Sequence, residues 1–304
     1  EASKISDTQY MIAYLQTDQL LSDGSNLFTQ AGVQLATFYF NAPQFSLETM
    51  DTLLITGGIL SMYDGQQVCE HGFHLYPEGA TFTESGTGST VAGDYFACYA
   101  YRWMDAYGQS HQSAPSPVYK LTAVGSKLFT HTIPMLNFTT KTTAIAVVAY
   151  RTAKNLGVMY EVSDPVALTL NDAGSSSPVV ITEDFSDAAI VGRAQLITNP
   201  LNPTAEVESL AVPAPAFITR YRGRVAVIPA ESPNQWLYSK SLVPGVPIEF
   251  NNQQFFQAVQ GSGDLTCVQE MDDKLILFRD GEIYFTSGDG PAPNGFSNDL
   301  GGPY

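Results

Sequence analysis

The chain is written in short runs of Val, Ile, Thr, Tyr and Phe, each cut by Gly, Pro or an Asp-Gly pair before a helix could complete several turns. Gly 25 and Pro 18 are spread along the sequence rather than bunched, so the punctuation is global. Helical periodicity is nearly absent, with Ser209 to Val212 and the opening stretch as weak exceptions. This pattern predicts an all-β protein. Strands are expected at Tyr10 to Leu15, Gln34 to Phe40, Thr52 to Tyr63, Tyr95 to Trp103, Val118 to Thr122, Leu128 to Ile133 and Thr143 to Arg151. Further strands are expected at Val158 to Val162, Val166 to Leu170, Val179 to Thr182, Phe217 to Arg220, Arg224 to Ile228, Gln235 to Ser239, Phe255 to Val259, Lys274 to Arg279 and Glu282 to Thr286.

Two hairpins are marked by Asp-Gly between apolar runs, at Asp64-Gly65 and Asp280-Gly281, where positive φ suits a two-residue type I′ turn. Gly223-Arg-Val-Ala-Val-Ile-Pro followed by Gln235-Trp-Leu-Tyr-Ser has the same layout with a longer connection. Strand units that recur with a reset predict propeller-like blades. The middle of the chain differs. Small-residue runs from Gly79 to Thr90 and from Ala173 to Ser177 read as linkers, enclosing an inserted module. The expected organisation is a propeller-like β segment over 1–78, an inserted β-sandwich over 79–177 and a second propeller-like segment over 178–304. In the strand Tyr95 to Trp103, alternation puts Tyr95, Tyr99, Tyr101 and Trp103 on one face and Phe96, Cys98 and Ala100 on the other. Such an aromatic face is either a sandwich core or a sticky outer surface.

Composition narrows function. Charged residues are only 14%, against about 25% in an ordinary domain, and the net charge is −16. This argues against an exposed surface that grips phosphate through clustered Lys and Arg, and nucleic-acid readout is not expected. The longest apolar run, Ala144 to Tyr150, is strand-sized and far short of a membrane-spanning helix, so a soluble chain is expected. Cys69, Cys98 and Cys267 are an odd number outside any C-x-x-C spacing, which predicts reduced thiols.

Candidate chemistry is sparse. Cys69, Glu70, His71 and His74 include metal-ligating types, but no second cluster completes a tetrahedral site, and the segment reads as a post-hairpin loop. Ser110, His111 and Asp105 are the right types for nucleophile, base and orienter, yet adjacent strand residues point to opposite faces. Glu183, Asp184 and Asp187, like Asp272 and Asp273, are the paired carboxylates of a glycosidase in type, and a solvated strand end in pattern. Asn137-Phe-Thr139 matches a glycosylation sequon, a pattern common by chance. No phosphate-cradling loop or dinucleotide fingerprint occurs. The sequence assigns no catalytic residue, no cofactor and no metal.

Several segments resemble one family. Tyr99-Ala-Tyr-Arg-Trp-Met-Asp-Ala-Tyr-Gly-Gln-Ser, Ser113-Ala-Pro-Ser-Pro, Ala149-Tyr-Arg-Thr and Thr182-Glu-Asp-Phe-Ser-Asp look like the fibronectin-III-like module inserted in large phage tail proteins. Tyr63-Asp-Gly-Gln-Gln-Val-Cys-Glu-His-Gly-Phe, Arg222-Gly-Arg-Val-Ala-Val, Leu237-Tyr-Ser-Lys and Asp272-Asp-Lys-Leu-Ile-Leu-Phe-Arg resemble blade segments of the same group. That group comprises the tail nozzle, tail tubular and head-completion (stabilisation) proteins of short-tailed phages. The resemblance implies a non-enzymatic virion protein made in the host cytoplasm. It also implies a homo-oligomeric ring that contacts other tail, adaptor or fibre proteins and lets DNA pass without specific binding. Members of the group are much longer, so the chain, ending at Asp299-Leu-Gly-Gly-Pro-Tyr, is expected to be a fragment. The module in this chain places its Tyr-rich hairpin at its beginning, whereas ordinary fibronectin-III domains carry the comparable tyrosine strand near their end, so their topology is not carried over. A different expectation is a carbohydrate-binding or polysaccharide-degrading propeller, with Trp103, Trp236 and the Tyr95 to Tyr101 face stacking on sugar rings. A cell-surface adhesin is a third.

Overall fold

A computed structural model describes residues 11–16, 18–22, 26–37, 44–164, 166–172, 174–175, 177–196, 211–250, 255–257 and 263–288. The protein is all-β, built from antiparallel sheets. Two four-stranded meanders come first. They are β1 (Met11–Leu15), β2 (Asp18–Ser22), β3 (Asn26–Thr29) and β4 (Gln34–Thr37), then β5 (Ser46–Thr49), β6 (Thr52–Ile55), β7 (Ser61–Tyr63) and β8 (Val68–Glu70).

A two-sheet sandwich follows, from β9 (Thr81–Ser85), β10 (Gly93–Met104), β11 (Ser110–Gln112), β12 (Tyr119–Ala123), β13 (Leu128–Ile133), β14 (Ile145–Thr152), β15 (Met159–Glu161) and β16 (Val179–Glu183). One sheet has the order β11-β10-β14-β15 with β12 also on β10, and the other has the order β16-β13-β9. After the single helical turn α1 (Asp187–Ile190), capped by Ser186, a third meander forms from β17 (Pro215–Tyr221), β18 (Arg224–Pro229), β19 (Gln235–Tyr238) and β20 (Phe255–Gln257). The fourth is three-stranded, β21 (Leu265–Met271), β22 (Lys274–Arg279) and β23 (Glu282–Ser287).

The four meanders stack in succession, and their first strands mark the path: β1 touches β5, β5 touches β17, and β17 touches β21. Apolar seams hold the stack. Leu15, Leu20 and Leu27 meet Leu53, Ile55, Tyr63 and Val68 between the first and second meanders. Tyr221, Ala226, Ile228, Trp236 and Tyr238 meet Val268, Leu275 and Leu277 between the third and fourth. The largest cluster joins Leu54 and Met62 of the second meander, Phe73 just after it, the sandwich interior, and Ile218, Val225 and Val227 of the third. The sandwich is thus seated at the joint between the second and third meanders.

Each meander opens with a two-residue hairpin, and the first turn residue is left-handed in all four: Gln16 (φ 52), Met50 (φ 51), Arg222 (φ 43) and Asp272 (φ 54). Neighbouring hairpins are stitched by a carboxylate two residues before the turn. Glu48 accepts the backbone N–H of Gln16 at 2.7 Å, and Glu270 accepts that of Arg222 at 3.4 Å. None of these four positions is Gly, which explains why the repeat is silent in the sequence.

Several expectations are corrected. Neither Asp-Gly pair forms a type I′ turn. Asp64 to Gln67 is a four-residue loop in which Asp64 Oδ1 accepts the N–H groups of Gln66 and Gln67, and at Asp280-Gly281 only the glycine has positive φ. Positive φ at both turn positions occurs instead at Met50-Asp51 and Arg222-Gly223. The run Thr52 to Tyr63 is two strands, broken at Gly57-Gly58. The expected linker Gly79 to Thr90 contains β9, whose Phe82 is buried and whose Thr81, Thr83 and Ser85 face outward. Strand β16 lies past residue 177 yet pairs with β13, so the sandwich extends beyond that position. Val166 to Leu170 makes only one bridge, Leu170 to Ala146, because Asp164 Oδ1 captures the N–H groups of Val166 and Ala167 in a local turn. Half of the weak helical segment at 209–212 lies outside the described residues, and 211–212 are not helical; most of the opening stretch also lies outside, and β1 is described from Met11.

Left-handed backbone at a methionine costs about 1–2 kcal/mol, while glycine costs about 0.5–1 kcal/mol in unfolded-chain entropy. Met50→Gly is therefore expected to raise unfolding stability by about 0.5–1 kcal/mol, read as a higher urea midpoint at unchanged slope.

Candidate functional site

The densest gathering of polar chemistry lies where β7 and β8, the β10–β11 hairpin and residues 139–143 converge. Asp64 starts the β7–β8 loop, and its second oxygen accepts the N–H of Ala106 at 3.1 Å, tying the second meander to the sandwich. Asp105 performs the same task in the β10–β11 turn. Its Oδ1 accepts from Tyr107 and Gln109 N–H at 2.9 and 2.8 Å, and its Oδ2 lies 3.1 Å from His111 Nε2. Burial alone would raise the Asp105 carboxyl, but the hydrogen bond from His111 and those from Gln109 and Tyr107 outweigh it and hold the group below the usual carboxylate range.

Lys141 enters from the opposite side. It is 7% exposed, with its ammonium 4.6 Å from the Phe73 ring centroid and 5.1 Å from that of Trp103. It donates to the backbone carbonyls of Glu70 and Gly72 and lies 3.4 Å from Glu70 Oε1. Glu70 also accepts from Thr139 Oγ1 at 2.7 Å and Thr140 N–H at 3.1 Å. Burial opposes ionisation of Glu70, yet Lys141 and these donors lower its pKa, while burial lowers that of Lys141. Trp103 Nε1 donates to Thr143 Oγ1 at 2.7 Å, which completes the join.

His71 is the unusual member. It packs edge-on to Phe250 at 6.0 Å and to His111 at 6.3 Å, and its Nε2 has no hydrogen-bond partner. Burial, reinforced by His111 and Lys141, pushes its pKa down to about 3. A cavity of ≈ 20 Å³, lined by His71, Phe73, His111, Gln112, Ile248 and Glu249 among others, adjoins it. That volume suits about one water molecule, not an organic substrate.

A second cluster sits inside the sandwich. Arg151, 0% exposed, pairs Nε to Glu183 Oε1 at 2.5 Å and Nη1 to Asp187 Oδ1 at 3.1 Å, and donates Nη2 to the Phe185 carbonyl at 2.6 Å. Its guanidinium lies 4.8 Å from the Phe129 ring centroid. His131 bridges Tyr99 Oη at 3.2 Å and Glu183 at 3.8 Å.

The sequence candidates are thereby sorted. Asp105 and His111 do meet, but Ser110 is exposed on the other side of β11, so no nucleophile joins them. Cys69 is buried, its thiol pushed up to about 12 mainly by desolvation; Glu70 is committed to Lys141, and His74 is exposed. Among the described residues no group of three or more His, Cys, Asp or Glu is placed to hold a metal ion. Glu183 is not a solvated strand end but the buried partner of Arg151; Asp184 is exposed and accepts from Ser89. Asp272 and Asp273 form the β21–β22 turn. Trp103, Trp236, Tyr95, Tyr99 and Tyr101 are all at most 2% exposed, so this aromatic set is core and offers no stacking face for a sugar ring. Sequence reasoning missed Lys141 and Arg151 as organising cations. The signal for Arg151 was a charge closing the longest apolar run.

No protein-family model and no curated protein matches the chain. Among solved structures it is similar to the computationally designed Ika8 protein at 12% identity, over 91% of this chain and 82% of that one. The TM-score is 0.18, so the likeness carries no argument about fold or role. Among the described residues no helix is long and apolar enough to cross a membrane.

The junction fixes a pH response. His71 is neutral in the folded protein down to about pH 3 but protonates near pH 6.5 when unfolded, so between those values the unfolded state binds the extra proton. Stability falls as pH drops through this window, by about 1.4 kcal/mol per pH unit for one such group. Buried His131, also lowered by desolvation, adds to the slope. Chemical unfolding between pH 7 and 5 is expected to show this loss, and His71→Gln to flatten it. Removing one partner of a buried ion pair costs about 3–5 kcal/mol. Arg151→Ala is therefore expected to lower stability by that amount in urea unfolding, with Arg151→Met losing less.

Proposed function

We propose that the chain is a structural subunit of a phage tail, part of an oligomeric nozzle or tube through which DNA is ejected. One observation carries the reading: four blade-like antiparallel meanders stack in succession around a sandwich seated between the second and third. This is the order of parts that the resemblance to tail nozzle, tail tubular and head-completion proteins implies. The chemistry of the candidate site fits a mechanical role. Its described charges are spent on joining sheets, and its cavity is too small for a substrate.

Net charge gives the physical rationale for passage of DNA. At −16 the subunit repels phosphate. Carboxylates gather at the opening hairpins, with Asp18, Glu48 and Asp51 at the first two and Glu270, Asp272 and Asp273 at the fourth. A channel edged by such turns would let a duplex slide without sticking.

Antibodies raised against the chain are expected to label the tails of virions encoded by the genome that carries its gene, with peptides of the chain in the purified particles. Unlabelled tails, or a gene lying outside any phage genome, overturn the reading. The purified chain is also expected to leave duplex DNA unretained at 50 mM salt, about the low-salt limit where nonspecific binding is strongest.

A further inference from the structure

Two imidazoles line one small cavity at the joint of the second meander, the sandwich and the third meander, and each is held as a metal ligand is held. His71, just after β8, donates one ring N–H to the Ile248 carbonyl of the third meander, which leaves Nε2 as its lone-pair nitrogen. His111, in β11, has Nε2 at 3.1 Å from Asp105 Oδ2, which leaves Nδ1 in the same state. A carboxylate or backbone carbonyl on the far nitrogen is the arrangement that fixes the tautomer and orientation of metal-bound histidines. His71 is only 4% exposed, and its Nε2 is buried without a hydrogen-bond partner. A buried polar atom left bare is destabilising. The cavity of ≈ 20 Å³ that both histidines line lies beside it, with room for one particle about the size of a water molecule.

The donor set decides which ion fits. Among the described residues no third His, Cys, Asp or Glu is placed to complete a set with these two, so a tetrahedral Zn²⁺ is left short of ligands. Cu(I) is satisfied by two collinear nitrogens, and imidazole suits copper. The ring centroids of His71 and His111 are 6.3 Å apart. Metal–nitrogen bonds of about 2.0 Å on either side of one ion put imidazole centroids about 6 Å apart. Collinear coordination leaves the rings free to turn about the common axis, so the 86° between their planes is accommodated. Charge points the same way. Lys141 is paired with Glu70 and Lys240 with Glu249, while Asp105 stands behind His111 with one negative charge. A monovalent ion matches that charge, and a divalent one leaves a surplus buried.

We propose that His71 and His111 form a site for one Cu(I) ion, which clamps the second meander to the sandwich with the Ile248 carbonyl of the third behind it. The half-buried lining residues Gly72, Gln112, Pro247 and Glu249 mark the side from which the ion enters. Burial holds the His71 pKa at about 3, so its lone pair is kept well below neutral pH. The site goes beyond the tail reading and does not depend on it.

The test is an anaerobic titration of the full chain against the Cu(I) complex of bicinchoninate. Wild type is expected to withdraw one equivalent of copper, and X-ray absorption of the loaded protein to show two nitrogen ligands in collinear coordination. His71→Gln and His111→Gln are each expected to lower affinity at least about 100-fold, and Asp105→Asn about 10–100-fold. Asp105→Asn keeps an acceptor for the Tyr107 and Gln109 N–H groups and loses the one facing His111. His74→Gln, at an exposed ring, and Cys267→Ser, at the least buried thiol, leave binding unchanged. The absorption measurement uses wild type alone, so it decides even where a histidine variant fails to fold. No copper withdrawn, as when the cavity holds a water molecule only, overturns the site. So do sulfur ligands in the loaded protein, Zn²⁺ bound as tightly as Cu(I), or undiminished binding by a folded His71→Gln.

Discussion

A sheet that is apolar on both faces must be covered on both faces, and this constraint organises the whole molecule. Strands β6, β18 and β22 are near-continuous apolar runs; β6 and β18 alternate between the meander before and the one after, and β22 sends Leu275 and Leu277 to the meander before it. Burying one Leu or Phe is worth about 1.5–3 kcal/mol, so seams of seven and nine buried apolar residues are a large share of a domain's net stability. The low charge content follows from the same fact. Strands sandwiched between sheets have no solvent face on which to place Lys or Glu, and the remaining charges are pushed to turns or into buried pairs.

Those buried pairs stand at joints between sheets. Glu70–Lys141 sits where the sandwich meets the second meander, and Arg151–Glu183 ties the two sheets of the sandwich to the α1 turn. Apolar packing holds surfaces together without fixing their relative register, whereas a buried ammonium with two carbonyls and a carboxylate around it is satisfied in one arrangement only. The cavity beside this junction is of single-water size, and burial keeps the Cys69 thiol protonated.

The sequence was informative where local rules dominate. Runs such as Leu128–Ile133 and Lys274–Arg279 matched their strands residue for residue, because β-branched and aromatic content with firm turn signals leaves little competition. The aromatic alternation of β10 also held, with Tyr95, Tyr99, Tyr101 and Trp103 together in the core. What stayed hidden was long-range. Short strands such as β2, β3 and β8 are too brief to show a period, and β9 is disguised by Gly, Thr and Ser around it. Asp-Gly pointed to the right hairpins with the wrong turn; at the first, Asp64 accepts the N–H groups of Gln66 and Gln67 and lengthens the loop. Of the polar junction, the Asp105–His111 contact was visible as residue types, but Lys141 reaches Glu70 across seventy-one positions, a pairing no local pattern encodes.

The one break in the hairpin repeat explains why the sandwich sits where it does. Glu48 and Glu270 each accept the turn N–H of the meander before them, but the corresponding position in the third meander is Arg220, which cannot accept. The second meander's turn is met instead from the sandwich. Gln109 donates to the Met50 carbonyl at 3.3 Å, and the Ala106 N–H reaches Asp64. The β10–β11 hairpin therefore meets that turn at its carbonyl, a contact different from the carboxylate stitch to a turn N–H, and ties the insertion to the second meander. A module attached by linkers alone would have left that turn unmet and the apolar sides of Leu54, Met62 and Ile218 without their shared core.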